Sequence, residues 1–95
     1  MTYEEYDKIT DNEHLEFERI PVSERLSLYR DLCGLLYLTK LREKTEMMND
    51  VISGAGHDVV YLYGPTDELT SEQAIYLSRC GIIWTDEYDS LEMFA

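Results

Sequence analysis

His14 and His57 are the residues of this chain best suited to proton transfer near neutral pH, because imidazole has its unperturbed pKa there. His57 stands in the run SGAGHD, so a site can be drawn from Cys33 or Ser53 as nucleophile, His57 as base and Asp58 as its orienting partner. Neighbouring residues of an extended segment point to opposite faces, which argues against Asp58 orienting His57. The run therefore reads as a loop that ends a helix and enters a strand. Its glycines lack the Lys-Ser/Thr of a phosphate loop and the third glycine of a dinucleotide fingerprint. Asp86, Glu87 and Asp89 lack the central Gly and terminal Glu of a calcium loop. Paired carboxylates can work as general acid and base only when an apolar pocket raises one of them, and these acids sit in polar surroundings. No catalytic residue, cofactor or metal site is expected, and the chain does not read as an enzyme.

Charge is the exceptional property. Of 95 residues, 20 are Asp or Glu and 8 are Lys or Arg, a net charge of −12. Residues 1–18 carry seven acids and one base, residues 47–95 nine acids and only Arg79, and residues 19–46 a slight excess of bases. Such a field repels nucleic acid and anionic membranes and attracts basic surfaces within a Debye length of about 8 Å. Direct nucleic-acid and membrane binding are both disfavoured, and a basic protein is the expected partner. The candidate partner-binding residues are Glu4, Glu5, Asp7, Asp11, Glu13, Glu16, Glu18, Asp67, Glu68, Glu72, Asp86, Glu87, Asp89 and Glu92. They interleave with Tyr3, Tyr6, Tyr61, Tyr63, Tyr76 and Tyr88.

These residues must be positioned by local structure. Thr2 with Glu5 has the form of a capping box and starts a short helix over 3–9, polar nearly all round. Leu15 and Phe17 alternate with Glu16 and Glu18, the period of a half-buried strand over 14–20 that ends at Pro21. Ser23 can cap a helix over most of 24–53, kinked or divided at Gly34, whose apolar residues recur at threes and fours. Val59–Tyr63 reads as a strand closed by Gly64-Pro65. Thr70 with Gln73 repeats the capping box, Leu69 stands at the staple position, and Gly81 ends a helix over 71–80. Ile82–Trp84 and Leu91–Phe94 read as strands about a turn at 86–90. The expected fold is one α+β domain over residues 1–95. It has a small, mainly antiparallel sheet, with the long central helix and a shorter C-terminal helix packed on it.

Carboxylates at three and four on a helix face (Glu4, Asp7, Asp11), or at two on strands (Glu16 with Glu18, Glu87 with Asp89), lie roughly 6 Å apart. Phosphates along one DNA strand have a comparable separation. In size and charge the chain resembles the small phage-encoded DNA-mimic proteins of the anti-restriction type. These block host nucleases, glycosylases or CRISPR effectors, and they share no common fold or motif. The resemblance implies that carboxylates stand in for phosphates in a basic cleft. The bases at Lys40, Arg42 and Lys44 depart from a uniform mimic. Two alternatives remain: an immunity or antitoxin protein that neutralises one basic nuclease, and a small regulatory subunit whose acidity is incidental.

Three further expectations complete the reading. The acidic N-terminus and the lack of a long apolar run place the chain in the cytoplasm, that of the host if it is phage-encoded. Cys33 and Cys80 are expected to be reduced and packed as small apolar groups. Residues 24–53 hold more large apolar side chains than one helical face accommodates: Leu26, Leu28, Leu32, Leu35, Leu36, Leu38, Leu41, Met47 and Met48. A homodimer is therefore expected.

Overall fold

The first helix, α1 (Tyr3–Glu13), starts at a capping box: the Glu5 N–H donates to the Thr2 hydroxyl at 3.2 Å, and the Thr2 N–H donates to the Glu5 carboxylate at 2.8 Å. The computed structural model describes residues 1–42, 50–63, 68–87 and 90–94. Helix α1 runs a turn beyond its expected end and is not polar all round. Tyr6 is fully buried, its ring meets Trp84 edge-on, and its hydroxyl donates to the Ile82 carbonyl at 2.6 Å. One aromatic side chain thus ties the most acidic helix to the sheet.

Helices α2 (Arg30–Arg42) and α3 (Ser71–Arg79) follow, α3 starting at the same box built from Thr70 and Gln73. Gly81 closes α3 at φ +90, a conformation that only glycine adopts at little cost, and a Cβ there would lie 3.0 Å from Leu15. Four strands, β1 (Ile52–Gly56), β2 (Val59–Leu62), β3 (Ile82–Thr85) and β4 (Ser90–Phe94), form one sheet in the order β1-β2-β4-β3, antiparallel throughout. Two cross-strand rows, Leu62–Leu91–Trp84 and Val60–Met93–Ile82, turn toward the core with Tyr6, Leu38, Leu69 and Leu77. By strand alternation the row Tyr61–Glu92–Ile83 turns the other way. Helix α3 packs against both α1 and α2, and α2 approaches it closely at Gly34, where an added Cβ would lie 2.8 Å from that of Cys80. The fold is α+β, as the sequence implies. No helix among the described residues is long and apolar enough to cross a membrane.

Three sequence expectations fail, each for a tertiary reason. Residues 14–20 are not a strand. Leu15 takes a left-handed φ of 62, its N–H donates to the Ser78 carbonyl, and the N–H groups of Glu16, Arg19 and Ile20 close successive tight turns, with a 3-10 turn at Phe17–Arg19. Phe17 therefore serves as an anchor, packing against buried Ile20 and its cluster, while Leu15 stays largely exposed.

The long helix over 24–53 is also much shorter than expected. Residues 22–24 form a 3-10 turn, and the Tyr76 hydroxyl accepts from the Leu26 N–H at 3.3 Å and donates to the Glu24 carbonyl at 2.8 Å. Backbone groups that a helix starting at Ser23 would use are taken by α3 instead. Finally, residues 52–56 are strand β1 where a helix end and loop were expected. Its glycines lie under the Tyr61 ring, whose atoms come within 3.6–3.9 Å of where their Cβ atoms would be. The aromatic ring replaces the side chains that ISGAG lacks. Met47 and Met48, and Gly64-Pro65, lie outside the described residues.

Candidate functional site

The acidic ends of the chain meet in space. Helix α1 presents Glu4, Asp7 and Asp11 at three- and four-residue spacing, all exposed. Strand β3 ends at Thr85, so Asp86 and Glu87 follow at its exposed end, while Glu92 sits half-buried in β4 beside Ile83 of β3. Asp7, Asp86, Glu87 and Glu92 line one groove of about 450 Å³, with Tyr3 and Trp84 among its walls. The Tyr3 ring stands edge-on to Trp84 at 6.0 Å. The capping box of Thr2 fixes where α1 begins, Tyr6 fixes its docking, and the β3–β4 register fixes Glu92 opposite Ile83.

The proximity has electrostatic consequences. The Tyr3 phenol is raised from its ordinary pKa by loss of solvent contact and by the charges of Asp7, Asp86 and Glu4. Glu92 is raised by burial and then by the charge of Glu87. Among the described residues no ion pair holds Asp7, Asp86, Glu87 or Glu92. Glu5, by contrast, belongs to the cap, and its hydrogen bonds with Thr2 lower it.

The remaining candidates fall elsewhere. Glu13 accepts from the Arg79 Nε at 2.6 Å and pairs with Arg19 at 3.4 Å, so it is neutralised by two cations and held low by the Arg79 hydrogen bond. Glu16 lies 3.9 Å from the Arg19 Nε and shares a hydrogen bond with Glu18 that raises Glu16. Glu18 is held low, first by its own backbone N–H and then by that bond. These two are therefore not on a strand at phosphate-like spacing. Glu68 and Glu72 are exposed near the start of α3, and Asp67 and Asp89 lie outside the described residues. Of the basic cluster, Arg42 is buried and donates to the Asp50 carbonyl at 2.7 Å, a structural role, and Lys44 lies outside the described residues. Sequence reasoning missed Trp84 as a wall of the groove and Arg19 and Arg79 as partners of Glu13. Arg79 stands 66 residues from Glu13, and nothing local marks the pairing.

The nucleophile and base drawn from the sequence do not assemble with depth. His57 and Asp58 form the two-residue turn between β1 and β2. Asp58 has φ 64 there, and its carboxylate lies 3.2 Å from the His57 Nε2, so the expectation that the two point apart is wrong: turn geometry brings them together. Both side chains stand in water, His57 98% and Asp58 73% exposed. Cys33 and Cys80 are free thiols, both buried. Burial acts to raise Cys33, but hydrogen bonds, first that with the Tyr76 hydroxyl at 3.1 Å, outweigh it and hold the thiol low. Burial pushes Cys80 well up. Among the described residues no group of three or more His, Cys, Asp or Glu could hold a metal ion.

Two acids with opposite shifts give a test of this electrostatic division. Glu13→Gln should lower stability at neutral pH by about 1–2 kcal/mol, since Arg79 loses a charged acceptor. That loss is fully present above the ordinary carboxylate pKa and fades as pH falls through the lowered value of Glu13, where the wild type too becomes neutral. Glu92→Gln should instead raise stability by about 0.5 kcal/mol. Its gain is full above the raised value of Glu92 and is gone below the ordinary one. Urea unfolding of both variants between about pH 3 and 8 reads the two signs, and equal signs would contradict the division.

No family model, curated protein or solved structure matches this chain.

Proposed function

We propose that this chain is an acidic inhibitor that binds the nucleic-acid cleft of a basic host DNA-binding protein or nuclease, its carboxylates taking the place of phosphates. The observation that carries the reading is the convergence of Asp7 with Asp86, Glu87 and Glu92 around one groove, without a cation among the described residues to offset them. Like charges held together, with Glu92 raised by burial and by Glu87, oppose folding, so a partner that supplies cations gains what the fold gives up. Tyr3 and Trp84 beside these carboxylates add aromatic surface on which Arg or Lys side chains can pack. A basic cleft complements both features.

Immobilised chain incubated with cell extract should retain a basic nucleic-acid-binding protein that a short DNA duplex displaces. Retention that duplex leaves untouched while salt removes it would favour an immunity-type inhibitor covering a nuclease without occupying its nucleic-acid path. Retention indifferent to both would remove the acidic groove from the interface.

A further inference from the structure

Among the described residues nothing covers the outer face of α2. Leu28, Tyr29, Leu32 and Leu36 are 73, 70, 49 and 47% exposed; Leu32 and Leu36 are neighbours one turn apart on α2, and Leu28 and Tyr29 immediately precede its first turn. The opposite side buries Cys33, Gly34 and Leu38 against α3 and the core. We propose that this stripe is a two-fold interface with a second copy of the chain.

Area and charge both select that occupant. At about 200 Å² for a fully exposed Leu or Tyr, the four residues offer roughly 500 Å² of side-chain surface. A standard interface needs about 800 Å² per partner, somewhat over half of it apolar. The stripe meets that apolar requirement nearly alone. Residues 19–46, which contain it, have six bases and four acids, whereas the rest of the chain is strongly negative. Two copies can therefore approach here without the repulsion that the acidic groove would impose. Antiparallel pairing brings the first turn of one α2, with Asp31, beside the last turn of the other, with Lys40. Neither residue has an ion pair within its own chain among the described residues. A basic partner would be repelled by Arg25, Arg30 and Lys40 and drawn to the acidic groove. Helix α3 lies between α1 and α2, so the dimer leaves that groove open, and it stands whether or not the groove binds as proposed.

Light scattering at about 100 µM should give twice the 11.2 kDa chain mass, and the dimer should survive about 0.5 M salt, where screening reduces self-repulsion. Leu32→Asp with Leu36→Asp should give a monomer with unchanged circular dichroism. Should that variant fail to fold, Leu28→Asp with Tyr29→Asp, ahead of the helix, carries the same test. A wild-type monomer at that concentration, an open series of larger assemblies, or a dimer untouched by both pairs of substitutions would overturn the proposal.

Discussion

Replacing Asp7, Asp86, Glu87 and Glu92 together with Asn and Gln is expected to weaken binding to the basic partner about 100-fold or more. Each of these carboxylates lines the same groove, and none has a cation of its own among the described residues. Each is thus available to pair with a partner's cation, and at a closely fitted interface a charge pair contributes from a few tenths of a kcal/mol at the rim to several in the centre. Glu16→Gln with Glu18→Gln is the control, removing half as many charges. Those two acids share a hydrogen bond, and Glu16 already faces Arg19, so their loss should change affinity less than about 3-fold. Titration calorimetry on the four-site variant, the control and the wild type separates a located site from the effect of net charge. Equal losses per charge removed in the variant and the control would mean that charge acts only in bulk. The wild-type affinity should also fall steeply with salt, and the four-site variant should keep a shallower slope.

The second large effect concerns the fold that holds those carboxylates. Tyr6→Ala should cost about 3–5 kcal/mol, a substantial part of the roughly 5–15 kcal/mol that stabilises a domain of this size. Tyr6 is fully buried, meets Trp84 edge-on and supplies the hydrogen bond to the Ile82 carbonyl. Removing the ring opens a cavity between α1 and β3 and takes the Tyr6 hydrogen bond from that carbonyl. Tyr6→Phe isolates the second contribution and should cost about 1 kcal/mol, the net worth of one buried hydrogen bond. Thermal unfolding of Tyr6→Ala should show a midpoint lower by well over about 10 °C. A midpoint within about 3 °C of wild type would mean that α1 is held by something other than Tyr6. Since α1 carries Asp7, its release would also remove that carboxylate from the groove.

What the sequence made legible was local. Both capping boxes, Thr2 with Glu5 and Thr70 with Gln73, are formed, because each is complete within four residues. Gly81 ends α3, and β2, β3 and β4 fall on the runs rich in β-branched and aromatic residues. The errors arose where a distant group decided the backbone. The Tyr76 hydroxyl takes the N–H of Leu26 and the carbonyl of Glu24, fifty residues away, and so delays α2 to Arg30. The Ser78 carbonyl does the same for Leu15, and Tyr61 makes a strand of ISGAG.

The candidate site divides the same way. An excess of acids can be counted from the sequence, but Asp7 meets Asp86, Glu87 and Glu92 only because Tyr6 docks α1 on β3 and β3 pairs antiparallel with β4. For the same reason nothing local distinguished Glu13, which is paired with Arg79, from Asp7, which lines the groove.

The central claim, that these carboxylates occupy a nucleic-acid cleft, is tested most directly by equilibrium competition. The captured partner is held on labelled duplex DNA, and the wild-type chain and the Asp7, Asp86, Glu87 and Glu92 variant are titrated in turn. The expected result is complete, mutually exclusive displacement of the duplex by the wild type, with the variant requiring about 100-fold more protein. A ternary complex of partner, duplex and chain, or displacement equally strong with the variant, would contradict it.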